Sequence, residues 1–187
     1  MLQKFTVREL ILIALLASAK FVLDFVFGAG IVAATGIPLA SAFFSAITAG
    51  LFFSLLVKLI PKFGTLTLFF LVYAILELPT VLGGAPGFWP KIPINALAGL
   101  AGDIFLILAD YKKWAVFVSF YVLSAVTLPV FVFFLWLLGL PGVDKTISLV
   151  HLLILAYWVL GTVGILIGMQ IFKKVKHWNI IKQVKSV

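Results

Sequence analysis

A chain of 187 residues that is 64% hydrophobic and only 11% charged, with a mean hydropathy of +1.29, has too little polar surface for a water-soluble fold, since an ordinary soluble domain carries about 25% charged residues. Its formal charge of +8 does not mark a nucleic-acid binder, because the basic residues sit at the ends of apolar runs rather than in one patch interleaved with aromatics. The absence of cysteine excludes disulfides, thiolate metal sites, iron–sulfur clusters and cysteine nucleophiles.

A membrane-spanning helix takes about 20 mostly apolar residues, and six segments qualify: 9–31, 38–60, 63–82, 93–111, 114–138 and 148–172. The first follows MLQKFTVREL, is too long for a signal-peptide core and has no evident cleavage site, so it reads as a retained helix. It carries Lys20 and Asp24, four residues apart and therefore on one face. An internal ion pair holding the helix in register and a role in gating or ligand contact are both open to these two, and Lys20 has a second candidate partner in Asp103 of the fourth segment. The second segment has two rows of small residues, Ser41, Ser45, Ala49 and Ala42, Ala46, Gly50, which let helices approach closely and place it in the middle of a bundle.

The third segment ends near Glu77 and leads into ELPTVLGGAPGFWPKIPIN, residues 77–95, where Pro79, Pro86, Pro90, Pro93, Gly83, Gly84 and Gly87 exceed what a minimal connection requires. Such a loop, with Phe88 and Trp89 at its tip and Glu77, Lys91 and Asn95 at its flanks, suits a lid over an outward-facing pocket. A re-entrant or interfacial loop anchored by Trp89 is the alternative. On the fourth segment Asn95, Gly99 and Asp103 form one stripe with Ala98 and Gly102 beside it, offering room and hydrogen bonds together. On the sixth, His151, Leu155 and Trp158 share a face that Tyr157 adjoins, and Gly161, Gly164 and Gly168 follow; histidine and aromatics near a helix end also serve as interfacial anchors.

Charge decides orientation. With the N-terminus in the cytoplasm, eleven of the fourteen basic residues fall on the inner side, Lys91 and Lys145 lie outside, and Lys20 lies within the first helix. The positive-inside rule therefore predicts an all-α membrane protein, a single domain over 1–187, with about six transmembrane helices and both termini cytoplasmic.

Ionisable side chains in hydrocarbon cost about 2.5 to 3.5 kcal/mol on insertion scales, so each implies a partner, a cavity or a function. The candidate substrate contacts are Glu77, Trp89, Lys91, Asn95 and His151, with Tyr157 and Trp158 as stacking walls; Lys20, Asp24 and Asp103 are the further intramembrane polar groups. The chain contains no GxxxxGK[ST], HExxH or GxSxG, so neither catalysis nor a metal or cofactor is expected.

These features together resemble the substrate-binding S-components of energy-coupling factor (ECF) transporters, over nearly the whole chain: about 190 residues, six helices, termini inside, a basic C-terminal tail and a first helix containing LIALLASAKF. The resemblance implies capture of a vitamin-like ligand and two kinds of partner, a transmembrane coupling subunit and a pair of ATPases. In that family an Ala-x-x-x-Ala pair on the first helix contacts the coupling subunit; the nearest matches here are Ala14 and Ser18, with a changed second residue, and Ala17 one position away. The stretch LELPTVLGGAPGF…NALAGLAGDIFLILADYKKW looks like members that handle thiamine or its pyrimidine precursor, which favours a heteroaromatic solute over a metal. Members for nickel or cobalt carry a histidine near the N-terminus, and here the first histidine is His151. Two other readings stand beside this one. A secondary carrier would couple to an ion gradient through Asp24, Glu77 or Asp103, although residues 1–90 and 91–187 show no repeat of the kind such carriers have. A non-transporting scaffold would use 77–95 to dock another protein.

Overall fold

In hydrocarbon an unmet backbone N–H or C=O costs several kcal/mol, so an apolar chain closes its hydrogen bonds within helices. The computed structural model describes residues 4–28, 30, 31, 34, 40–80, 82, 86–139 and 143–176, without the side chains of 40, 143–146, 148 and 149, and every regular element among the described residues is helical. These elements are α1 (Val7–Leu23), continued by a π-helical turn over Asp24–Gly28, then α2 (Ala40–Leu59), α3 (Thr65–Glu77), α4 (Lys91–Leu108), α5 (Lys113–Leu137) and α6 (Val143–Val175). The expected turn at 35–38, Gly83 and Gly84 of the outer loop, the Lys145 side chain, Lys182 and Lys185 lie outside the described residues.

Five of the helices are long and apolar enough to cross a bilayer; α3 is not. Its 13 residues reach about 20 Å at 1.5 Å per residue, against a hydrocarbon core of about 30 Å. The expected helix over 63–82 stops at Glu77 because Pro79 has no amide hydrogen and its ring clashes with the carbonyl four residues back. The chain turns there instead, with Leu78 N donating to the Ile75 carbonyl at 3.3 Å and Thr80 N to the Glu77 carbonyl at 3.0 Å. In α6 the deviation is the reverse: 33 residues, about 50 Å, exceed the expected 148–172 and the membrane thickness, which a helix accommodates by tilting or projecting.

The small-residue rows set the packing. A Cβ built on Gly164 would stand 2.9 Å from the carbonyl carbon of Ile47 and the amide nitrogen of Leu51, and one on Gly50 would stand 2.9 Å from the carbonyl carbon of Gly161. Helices α2 and α6 thus meet backbone to backbone, which only glycine permits, and α2 is the most buried of the spanning helices. Gly99 lets α4 approach α3 in the same way, where an added Cβ would lie 2.6 Å from Thr67 Cα.

Polar contacts at the cytoplasmic end fix the helix starts. Thr6 and Glu9 form a capping box at the start of α1, and Lys62, in the α2–α3 turn, places its Nζ 2.8 Å from Glu9 Oε2 and 3.2 Å from the Lys4 carbonyl. Asp103 near the end of α4 accepts from Leu66 N at 3.1 Å, Thr67 N at 2.9 Å and Thr67 Oγ1 at 2.7 Å, so it caps the N-terminus of α3 from a neighbouring helix. That corrects the suggested Lys20–Asp103 pair: Asp103 sits at the opposite depth, its oxygens taken by the free amides of a helix start, which favour a negative group. Successive helices alternate in direction, and the starts of α1, α3 and α5 share one end, which the lysine and arginine distribution assigns to the cytoplasm.

Candidate functional site

The outer half of the bundle contains a polar cluster built from five helices. The α-helical hydrogen bonding of α1 gives way to a π-helical turn at Asp24, a rare local widening that recurs at functional sites. Asp24 is 2% exposed and forms an ion pair with Lys20, one turn back on the same face. Its Oδ1 accepts from Thr48 Oγ1 at 2.5 Å, and its Oδ2 accepts from Ser45 Oγ at 3.0 Å and lies 2.6 Å from the Tyr73 hydroxyl. Lys20, 1% exposed, places its Nζ 3.3 Å from Ser45 Oγ and 3.8 Å from the centroid of the Tyr73 ring, a cation–π contact that desolvation strengthens. On α3 the Tyr73 hydroxyl reaches Glu77 Oε1 at 2.8 Å, one helical turn on.

Lys91 opens α4 and is fully buried. Its Nζ donates to the carbonyls of Glu77 and Thr80, each at 3.2 Å, at the C-terminal end of α3, where the helix dipole favours a cation. Asn95, one turn further along α4, donates from Nδ2 to the Lys91 carbonyl at 2.9 Å and lines a cavity of about 60 Å³ together with Phe70, Ala98, Leu123, Ser124, Thr127, Leu128 and Tyr157. The cavity has room for a few water-sized groups and is well below the ~300 Å³ at which drug-sized ligand pockets begin. Tyr157 stacks on Phe120 at 5.8 Å with rings 11° from parallel and turns its hydroxyl toward Ser45. Ser45 therefore links the ion pair to the cavity wall. Trp158 supports that wall from behind, donating from Nε1 to Ser124 Oγ at 2.9 Å.

The fold thus brings Glu77, Lys91, Asn95, Tyr157, Lys20 and Asp24 into one region, with Trp158 one residue removed from the cavity through Ser124. It places Trp89 and His151 elsewhere. Trp89 is 66% exposed, the position expected of an amphipathic ring at the membrane surface, and the buried aromatic at the loop tip is Phe88, edge-on to Phe131 at 5.7 Å. His151 is exposed on α6, as is Leu155, so its face points away from the cavity while Trp158 turns inward. On α1, Ser18 is exposed and Ala14 half-buried, but Ala17 is fully buried in the core of this chain. Ala17 is therefore removed from the expected coupling surface, because it packs inward one position off the Ala14–Ser18 row.

Sequence reasoning missed Tyr73, Thr48, Ser124 and Thr127. Tyr73 carried a usable signal, the four-residue spacing to Glu77, and Ser45 was visible only as a small residue. Among the described residues no group of three His, Asp or Glu converges in a way that would hold a metal ion.

A family model described as a hypothetical bacterial integral membrane protein (Trep_Strep) matches residues 7–139, and the chain belongs to that family. No curated protein and no solved structure matches it. The match covers α1 to α5 and so includes every residue of the polar cluster except Tyr157.

Proposed function

We propose that this Trep_Strep-family multi-pass membrane protein is the substrate-capturing subunit of a micronutrient uptake transporter, taking a small heteroaromatic solute from the outer face and relying on a separate ATP-driven module for transport. The observation that carries this reading is the continuous polar path in the outer half of the bundle. It runs from Lys20 and Asp24 through Ser45 to Tyr157 and the cavity beside Asn95. Costly polar groups are concentrated where an external solute arrives, and aromatic rings at the cavity wall offer faces for a flat ligand. The roles follow from the chemistry of each group: Asn95 orients the ligand by donor and acceptor, Tyr157 stacks on it, Glu77 offers a carboxyl group and Lys91 an ammonium group. Because the cavity is small, capture displaces side chains, and the 86–90 part of the outer loop beside Phe88 is the segment that moves.

The absence of a phosphate-binding motif supports dependence on ATPases from outside the chain, and the row of half-buried Ala14 and exposed Ser18 offers a surface for a transmembrane coupling subunit. No chemical transformation is assigned to the site; its work is binding. The resemblance drawn from the sequence makes thiamine and its pyrimidine precursor the first ligands to test.

Mass spectrometry of small molecules retained by the purified protein, followed by titration with a panel of vitamins, tests the reading. A single ligand bound one to one, and lost in Asn95→Leu and Tyr157→Ala variants that remain folded, is the expected result. Failure to retain any member of the panel would overturn it. The paired carboxyl groups of Asp24 and Glu77 favour one competing reading, an ion-coupled carrier, which gradient-driven uptake by liposomes containing this chain alone would establish in its place.

A further inference from the structure

The Tyr73 hydroxyl carries one hydrogen and lies within full hydrogen-bonding distance of two carboxyl oxygens, Asp24 Oδ2 at 2.6 Å and Glu77 Oε1 at 2.8 Å. One hydrogen satisfies one of these contacts. Both distances fall in the 2.5–3.0 Å range of complete O–H···O bonds, and an oxygen–oxygen approach that short without an intervening hydrogen sets lone pair against lone pair. The second hydrogen has to come from a carboxyl group, since an ionised carboxylate only accepts and a protonated one donates.

The surroundings decide which carboxyl group supplies it. Asp24 faces an ammonium group, Lys20, and accepts from both Ser45 and Thr48 as well, a complete set of donors for an anion. Among the described residues the ion pairs between side chains, Lys20–Asp24 and Lys62–Glu9, leave Glu77 out, and Lys91 on α4 donates to the backbone carbonyls of Glu77 and Thr80. We infer that Glu77 is a proton-binding site: it holds a proton at neutral pH and donates it to the Tyr73 oxygen, while Tyr73 donates in turn to Asp24. The hydrogen-bond chain then runs Glu77 to Tyr73 to Asp24, closed by Lys20, with every hydrogen accounted for. When the proton leaves Glu77 for water, one phenol hydrogen remains for two anionic oxygens and the chain breaks at Tyr73. The charged and titratable groups facing Glu77 in that event are Lys20 and Asp24 on α1, Tyr73 on its own helix, Lys91 on α4 and Tyr157 on α6. From α2, Ser45 and Thr48 present neutral hydroxyls to the Asp24 side of the chain.

Infrared spectroscopy of the purified, ligand-free protein tests this without reference to any solute, so its outcome is separate from that of the capture experiment. The wild-type protein at neutral pH should show the C=O stretch of a protonated carboxylic acid, shifted in D₂O. That band should be missing from Glu77→Gln, present in Asp24→Asn, and lost from the wild type as pH rises. Glu77→Gln should also fold, because its amide N–H replaces the acid hydrogen toward Tyr73. Wild-type and Glu77→Gln spectra that match in this region overturn the assignment, as does an unfolded Glu77→Gln. As a second measurement on unaltered protein, dicyclohexylcarbodiimide, which modifies protonated carboxyl groups in apolar surroundings, should label Glu77 by peptide mass mapping and leave Asp24 untouched; labelling of Asp24 in place of Glu77 overturns it.

Discussion

Asp24→Ala isolates the energetic role of the ion pair. Lys20 is 1% exposed and, among the described residues, its ammonium forms an ion pair with Asp24, so the substitution leaves a buried cation with Ser45 Oγ and the Tyr73 ring for company. Removing one member of a buried pair costs about 3–5 kcal/mol. The other donors lose less: Thr48 Oγ1 retains the Ser45 carbonyl at 3.0 Å and Tyr73 retains Glu77, leaving Ser45 to lose a bond worth about 1 kcal/mol. The expected loss for Asp24→Ala is therefore about 4 kcal/mol. Lys20→Met with Asp24→Ala orphans no charge and should lose only about 1–2 kcal/mol, because replacing a whole buried pair by apolar groups is close to neutral. Reversible unfolding in mixed micelles, followed by circular dichroism as the denaturing detergent fraction rises, measures all four corners of the cycle. A single variant within about 1 kcal/mol of wild type, or a double variant no more stable than Asp24→Ala, would refute a dry, coupled pair.

Asp103→Ala should cost about 2 kcal/mol, the upper range for loss of an N-cap, and hydrogen exchange should show faster amides at Leu66 and Thr67 while the outer cluster is undisturbed. Gly164→Leu forces α6 away from Ile47 and Leu51 of α2; overpacking of this kind costs about 1–3 kcal/mol or more, read as a lower unfolding midpoint. Tyr111, in the cytoplasmic turn after α4, has a buried hydroxyl with no hydrogen-bond partner among the described residues, and burial, with the charge of Asp103 behind it, pushes that phenol up to about 12. Tyr111→Phe should therefore leave stability unchanged or raise it by up to about 1 kcal/mol, and a clear loss would reveal a partner for the hydroxyl.

Much of the architecture was legible because two one-dimensional signals are strong in a membrane chain. Apolar length marks helices, and lysine placement marks their ends; the positions of all six helices followed from these. Where Pro79 cuts α3 short, the breaker was visible, but apolar Leu78, Val81 and Leu82 around it extended the hydropathy signal past the point where the backbone can continue. The glycines of α6 and the small rows of α2 announced close approach without saying which helix met which.

From the amino-acid order alone come the bilayer location, the alternating helices with basic ends inside, the Lys20–Asp24 spacing, and the concentration of Glu77, Lys91 and Asn95 toward the outer side. Tertiary structure alone decided that Asp103 caps α3 at the far end from Lys20, that Ala17, Trp89 and His151 turn away from their expected places, and that Tyr73 joins Asp24 to Glu77. The physical reason is that hydropathy and charge depend on depth along the membrane normal, which sequence position encodes. Hydrogen-bond partnership depends on rotation and contact between helices, which only the packed bundle fixes.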